Sequence, residues 1–333
     1  MNELEFRESL GFKEEIFYHY CSLNALYGII SNKSFWLTSL ESTNDAKELK
    51  LGKEVLTQAL NELKLQHSAS RYIKFFDRII EAPNDDKFKK IRPKYKYYGL
   101  SFVENKDSLT HWERYGDGSR GVCIGVNLWM INHFFEENYG LPNIVTNWLQ
   151  NSKVFYSFEE QVDYAKSSIM AKLEGFDMMT NSKNEEIEHI FNSIYYSTLA
   201  TIKPRFKHPG FSDEDEHRIY LEEGEAEEAS NFFKKNVGWP DEKNKELFSN
   251  ISKHILEAAE SLEVLKKDKK YNVFNGGIRS YYSMNLSEIW GEALIKEIII
   301  GPKCFQNKNE LTGFISASGL DRTKVIVSKI PIR

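Results

Sequence analysis

Apolar and polar positions change period repeatedly along the chain, and each change marks a predicted element. "EIFYHYCSL" (Glu15–Leu23) is rich in β-formers and predicts a strand. "NALYGIISNK" places Leu26, Ile29 and Ile30 at the spacing of a short helix. "SFWLTSL" (Ser34–Leu40) returns to strand. Ser42, Thr43, Asn44 and Asp45 are helix-capping types, and Leu49, Val55, Leu56, Leu60 and Leu63 follow with helical spacing that continues to about Ile80.

Further on, "PKYKYYGLSFVE" predicts a strand, "DSLTHWERYGDGSRG" a short helix ended by a glycine-rich turn, and "RGVCIGVN" another strand. A helix near "LWMINHFFEENYG" and a strand at "SKVFYSF" come next. From Glu159 to about Ile202 the pattern is helical. The charged stretch from about 225 to 270 predicts a helical insertion or surface layer. The chain then alternates strand "GIRSYYSMNL", strand "IKEIIIGP", helix "NELTGFISASGL" and strand "TKVIVSKI".

Strands and helices mix without a regular βαβ repeat, which favours an α+β fold with a mixed or antiparallel sheet. Residues 1–333 read as one elaborated domain carrying the 225–270 insertion. The chain has neither GxGxxG nor GxxxxGK[ST], so the Rossmann and P-loop readings lack their motifs.

Composition narrows this picture. The 333 residues are 41% hydrophobic and 14% aromatic, enough to bury a core. The net charge of −5 gives no bulk attraction to nucleic acid or anionic lipid, so any such binding needs a local patch. Cys21, Cys123 and Cys304 are scattered without metal-ligand spacing, which predicts no metal site and fits a reducing cytoplasm. No apolar run approaches the ~18 residues of a membrane span, and the N-terminus does not read as a signal peptide.

Candidate chemistry concentrates in "HPGFSDEDEHRIYLEEG" (His208–Gly224), where Glu214 and Glu216 stand two apart. In extended chain that spacing puts both carboxylates on one face; the pair is then either a solvated edge or a site. His19, between Tyr18 and Tyr20, is a satisfied strand histidine or a ligand anchor. Cys21 shares its strand face but has no third orienting residue for nucleophilic catalysis. Trp112, Tyr115 and Arg120 form either a stacking wall with a phosphate-binding arginine or ordinary helix packing before a glycine turn. In "DKFKKIRPKYKYY" (Asp86–Tyr98), Lys89, Lys90, Arg92, Lys94 and Lys96 interleave with aromatic rings. That mixture suits single-stranded nucleic acid, or else a solvated loop.

Four blocks carry a family resemblance: "FYHYCSLNALYGIISNKSFWLTSLESTNDAKE", "YYGLSFVENKDSLTHWERYGDGSRGVCIGVN", "FKHPGFSDEDEHRIY" and "IKEIIIGPK". In that order they resemble the bacterial proteins grouped as domain of unknown function 2971. A second likeness is to ADP-ribosyltransferases, which bind NAD in a split α+β sheet. Their first sheet strand carries His or Arg, a middle strand Ser or Tyr, and a late strand the catalytic Glu. This resemblance implies Glu216 as the catalytic carboxylate, with Glu214 orienting the acceptor and His19 anchoring NAD. Ser101, Tyr98 or Tyr115 would complete the middle position, beside Tyr20, Trp112 and Arg120 as cofactor contacts. It implies NAD as substrate, a toxin-like role in bacterial defence and, by analogy, a neutralising antitoxin. The basic aromatic patch favours nucleic acid, RNA in particular, as the acceptor, and the rival readings are a non-catalytic nucleic-acid-binding or sensing module and a hydrolase of NAD or of a nucleotide. A fixed carboxylate suits such chemistry, because breaking the nicotinamide–ribose bond develops an oxocarbenium-like cation.

Overall fold

A computed structural model of the chain describes residues 14–42, 48–67, 72–81, 96–139, 149–179, 194–195, 198–199, 201–223, 269–274 and 277–331. The element order begins β1 (Ile16–Cys21), α1 (Leu23–Asn32), β2 (Ser34–Ser39), α2 (Glu48–Gln66), α3 (Ile73–Glu81), β3 (Lys96–Val103), α4 (Leu109–Arg114) and β4 (Val122–Asn127). It continues with α5 (Leu128–Tyr139), β5 (Leu149–Lys153), α6 (Phe158–Met179), β6 (Glu216–Glu223), β7 (Lys270–Phe274), β8 (Gly277–Asn285), β9 (Ile295–Ile300), α7 (Lys308–Ala317) and β10 (Lys324–Val327).

The strands form one open sheet in the order β10-β9-β4-β1-β3-β2-β8-β7, with β6 on β3 and β5 on β6. Only β10 and β9 run parallel among the described pairs, so the sheet is mixed, as the element pattern predicts. β4 is buried along its whole length, because β1 and β9 flank it and side chains cover both faces. Its uninterrupted "VCIGVN" is the sequence of such a central strand.

The sheet branches at β3. One edge of β3 pairs with β6 from Lys96 to Val103. The other edge is shared: β2 pairs at Tyr98 and Gly99, and β1 pairs at Val103. Between those contacts Leu100 and Ser101 face the place where β1 and β2 diverge. Gly99 is required there, since a Cβ would stand 2.8 Å from Leu40 Cδ2 and 3.4 Å from Arg218 Cδ.

Side-chain alternation assigns the two faces, because residues directly opposite across a ladder point the same way. Tyr98, Leu100 and Phe102 join Phe35, Leu37, Ile219, Tyr282 and Met284 in the main core, under α1 and α7. The other face divides. At the β1–β4–β9 end it is sealed by Tyr18, Tyr20, Val103, Trp112, Cys123 and Ile299. A separate cluster, with Val55, Leu56 and Leu60 of α2 against Val162, Ala165 and Ile169 of α6, closes around Phe206.

Several sequence expectations shift. The helix expected to run unbroken to Ile80 is two helices, α2 ending at Gln66 and α3 beginning at Ile73. The strand expected at "SKVFYSF" lies earlier, at Leu149–Lys153, and Phe155 makes only an isolated bridge to Phe206. β7 was not foreseen. It is an edge strand with Tyr271 and Val273 exposed, so it lacks the buried face that produces clear alternation. Asn44 and Asp45 lie outside the described residues, as do Lys89, Lys90, Arg92, Lys94 and nearly all of the 225–270 segment. Lys96 is exposed at the start of β3, but Tyr97 and Tyr98 are buried and cannot serve as stacking platforms. Hydrophobic burial outweighs the local charge pattern at those two positions.

Gly121 marks the tightest backbone approach, since a Cβ would lie 2.1 Å from the Cys21 carbonyl oxygen. The Cys21 oxygen is strand backbone and cannot move aside as a flexible side chain could. Gly121→Ala is expected to destabilise the fold by about 3 kcal/mol, measured as a shift in the urea unfolding midpoint.

Candidate functional site

The acidic motif folds in two parts. His208 caps a short 3-10 turn, its Nδ1 accepting from the Gly210 N–H at 3.1 Å. The turn runs over Pro209–Glu214 and ends at Asp215, whose φ of 39° is left-handed. Only then does β6 begin, with Glu216. Glu214 is therefore not in extended chain, and strand periodicity is not what brings the two carboxylates together.

Lys207 does that. Its ammonium lies 2.7 Å from Glu214 Oε2 and 2.6 Å from Glu216 Oε2. Its backbone is fixed by a bond from its N–H to the Phe155 carbonyl and by Gln161 Nε2, which donates to the Lys207 carbonyl at 2.8 Å. Arg218, two residues along the same face of β6, forks onto Glu216. Nε donates to Oε1 at 2.7 Å and Nη2 to Oε2 at 2.9 Å, while Nη1 donates to the Pro204 carbonyl at 2.8 Å. Ser101 Oγ donates to Glu216 Oε1 from the neighbouring strand. The Tyr156 hydroxyl accepts the Glu216 N–H at 3.0 Å.

Glu216 is thus only 2% exposed yet ionised. Burial alone would raise its pKa, but the Arg218 and Lys207 charges outweigh that and bring it to about 2. Its oxygens accept from Ser101, Lys207 and two nitrogens of Arg218. A carboxylate offers about four lone-pair positions, so a ligand can reach it only by displacing a donor. Ser101 is the donor most readily displaced, because its side chain is exposed while Arg218 and Lys207 are buried.

Glu214 is buried beside it. Tyr115 donates its hydroxyl to Oε1, and the half-exposed Arg114 adds a cation at 3.8 Å. Burial, and then the Glu214 bond, push the Tyr115 hydroxyl well above its ordinary pKa. His111 Nε2 contacts the Glu214 carbonyl at 3.0 Å.

His19 meets the site from the other side. Its Nδ1 lies 2.9 Å from the Ser101 carbonyl, filling the place in the branch where β3 lacks a strand partner. A carbonyl only accepts, so Nδ1 carries the proton and Nε2 presents a lone pair. Desolvation holds the imidazole below its usual pKa and so favours the neutral ring, and the Ser101 bond opposes this. Tyr18 opposes Val103, and Val103 opposes Glu216, so these three share a face. His19 leaves the opposite face, among the rings of Phe35 and Phe102. His19 and Glu216, which the resemblance assigns to one NAD, thus leave opposite faces of the sheet and are joined through Ser101, its carbonyl to one and its hydroxyl to the other.

Other expected contacts are structural. Trp112 is 0% exposed, its Nε1 bound to Asp107 Oδ1 at 2.7 Å. Tyr20 packs its ring on His111 and Trp112 and donates to the Asn105 carbonyl at 2.8 Å. Neither ring can form an open stacking wall. Arg120 is exposed and turned onto Asp117 within its own loop. Burial pushes the Cys21 thiol up to about 12, which removes it as a nucleophile near neutral pH. Among the described residues, no cluster of three or more His, Cys, Asp or Glu could hold a metal ion, and no helix is long and apolar enough to cross a membrane.

Residues 111–219 match the model of a family described as a protein of unknown function, DUF2971. The family resemblance read from the sequence is therefore shown over that stretch. It contains Tyr115, Lys207, Glu214, Glu216 and Arg218, so the whole charged network lies inside the match, while His19 and Ser101 lie before it. No curated protein and no solved structure matches the chain.

Glu216→Gln is expected to take the carboxylate from the buried Arg218, while Lys207 keeps Glu214, and to cost about 3–5 kcal/mol, read from chemical denaturation. The pH dependence has a definite sign. The folded pKa of Glu216 lies below its ordinary 4.5, so its contribution is fully present above pH 4.5 and is lost as pH falls toward about 2. Melting temperatures of the native protein across that window should fall, and those of Glu216→Gln should fall less.

Proposed function

We propose that this chain is an enzyme of the ADP-ribosyltransferase type, cleaving the nicotinamide–ribose bond of NAD and passing ADP-ribose to an acceptor. The observation that carries this reading is the joining of His19, Ser101 and Glu216, separated widely in sequence, at the branch of the sheet. These are the residue types, in the strand order, that such enzymes place around NAD.

The geometry assigns roles that differ from those of an open carboxylate. Ser101 is the exposed member of the line. A ribose hydroxyl donating to Glu216 Oε1 would replace the Ser101 proton there, and Ser101 Oγ would then turn to the ligand. Glu216 remains the fixed anion beneath the sugar, where positive charge develops as nicotinamide leaves. Neutral His19 lies on the opposite face, where it positions Ser101 through its carbonyl. Tyr115 is 39% exposed on Glu214 and borders the same carboxylate pair.

A second reading is favoured by one specific observation. Both Glu216 oxygens are already neutralised by Arg218 and Lys207. A carboxylate so paired gives less stabilisation to a new cation, and the network then acts as the buried frame of a binding module. This reading is noncatalytic.

Ser101→Ala separates the two. It removes one hydrogen bond while Arg218 and Lys207 still hold Glu216, so its unfolding free energy should change by about 1 kcal/mol. In the transferase reading, NAD consumption, followed by release of labelled nicotinamide with RNA, DNA or protein present, falls at least about a hundredfold. If the native protein releases no nicotinamide with any of these acceptors, or if Ser101→Ala releases it at the native rate, the reading is wrong.

A further inference from the structure

The face of the sheet that carries Ser101 continues across β2 to β8 and β7, and there it changes character. Thr38 opposes both Gly99 and Tyr281, which places Trp36, Thr38, Tyr281 and Ser101 on one side. Trp36 and Tyr281 stack with ring centroids 4.1 Å apart and planes at 25°. Trp36 is 40% exposed and Thr38 is exposed, whereas Phe35 and Leu37 between them are buried in the core beneath. The ring pair is therefore set on rigid backbone by the same alternation that buries its neighbours.

The charges on this face have one sign. Lys270 opposes Tyr281, and Arg279 lies two residues before it, so both share its side. Among the described residues of β2, β7 and β8, these are the charged side chains on that face. Ser34, Asn272, Ser283 and Asn285 add uncharged polar groups on the same side.

We propose that this face binds single-stranded nucleic acid, with bases added to the Trp36–Tyr281 stack and phosphate held by the exposed Lys270. Stacked rings accept any base, and cations on one side follow a backbone, which together favour a splayed single strand over a duplex. The net charge of −5 makes this a local recognition surface rather than a bulk electrostatic one. The location gives it meaning: Thr38 opposes Gly99, two residues before Ser101, so the surface and the candidate site lie on the same side of the sheet, with the buried Leu40 packed over Gly99 between them. As the acceptor for ADP-ribose transfer, it rests on the function proposed above; as a binding surface it does not.

The test is fluorescence anisotropy with a fluorescein-labelled single-stranded oligonucleotide of about 12 nucleotides, as RNA and as DNA of the same sequence, with the duplex as a third arm. The native protein should bind a single strand saturably and bind the duplex more weakly. Trp36→Ala and Tyr281→Ala should each weaken binding about tenfold, and Trp36→Phe should restore most of it. Lys270→Ala should lower the slope of log affinity against log salt by about 0.7. Thermal melting of each variant confirms that the fold is kept. Absence of saturable single-strand binding by the native protein, or undiminished binding by Trp36→Ala, overturns the proposal. Binding that depends on Trp36 in a protein that leaves NAD intact supports the surface and removes only the transferase reading. NAD cleavage by a protein whose oligonucleotide binding ignores Trp36 does the reverse.

Discussion

The pairing of Glu216 with Arg218 and Lys207 is the constraint on which the central part of this structure depends. Removing a carboxylate and two cations from water is expensive, and only close, well-directed contacts offset it. Here the guanidinium grips both carboxylate oxygens and the ammonium closes the remaining side. The consequence is positional. Arg218 also holds the Pro204 carbonyl, and Lys207 also holds Glu214, so the segment entering the turn, the turn itself and β6 are tied to one point. Ser101 adds β3. None of these connections is a helix or strand hydrogen bond, yet together they fix where β6 begins.

That anchoring matters because β3 has incomplete neighbours. β1 and β2 each claim one end of its free edge and leave Ser101 between them. A sheet normally satisfies each carbonyl from the adjacent strand. At Ser101 a side chain from β1, His19, does so instead. A neutral imidazole suits this task, since it donates from Nδ1 without bringing a charge into a desolvated place. The branch and the charged network therefore meet at one residue, held by a histidine through its backbone and by a glutamate through its side chain.

Much of this was legible in the sequence, though for mixed reasons. The continuous apolar run of β4 and the alternation of β1 gave their strands directly, because burial on known faces dictates those patterns. His19, Ser101, Glu214 and Glu216 were singled out and do come together. The reason offered for the two acids was nevertheless mistaken, since a left-handed residue separates Glu214 from the strand. Lys207 carried no signal as their bridge: it lies seven residues before Glu214 across an irregular turn, where no period applies. Aromatic residues misled in the opposite direction. Trp112, Tyr97 and Tyr98 read as available for stacking and are buried, whereas the exposed Trp36 stacks on the half-buried Tyr281. Aromatic burial depends on which neighbour covers each sheet face, and that is not written locally.

The arrangement of cover over this one face gives a physical reason for the site's position. At the β1–β4–β9 end, α4 and its Trp112 seal the face, and polar chemistry there would be walled in. At the β2–β8–β7 end Trp36, Thr38 and Lys270 are exposed, and the described residues of those strands supply no carboxylate. Between the two lies β3, with β6 on its other edge, where Glu216 and its partners are buried and the Ser101 residue that touches it is exposed. A preorganised charge needs both conditions: enough burial to keep its partners from exchanging with water, and one displaceable contact through which a substrate can reach it. On this sheet both are met where Ser101 touches Glu216, at the border between the sealed and the open parts of the same face.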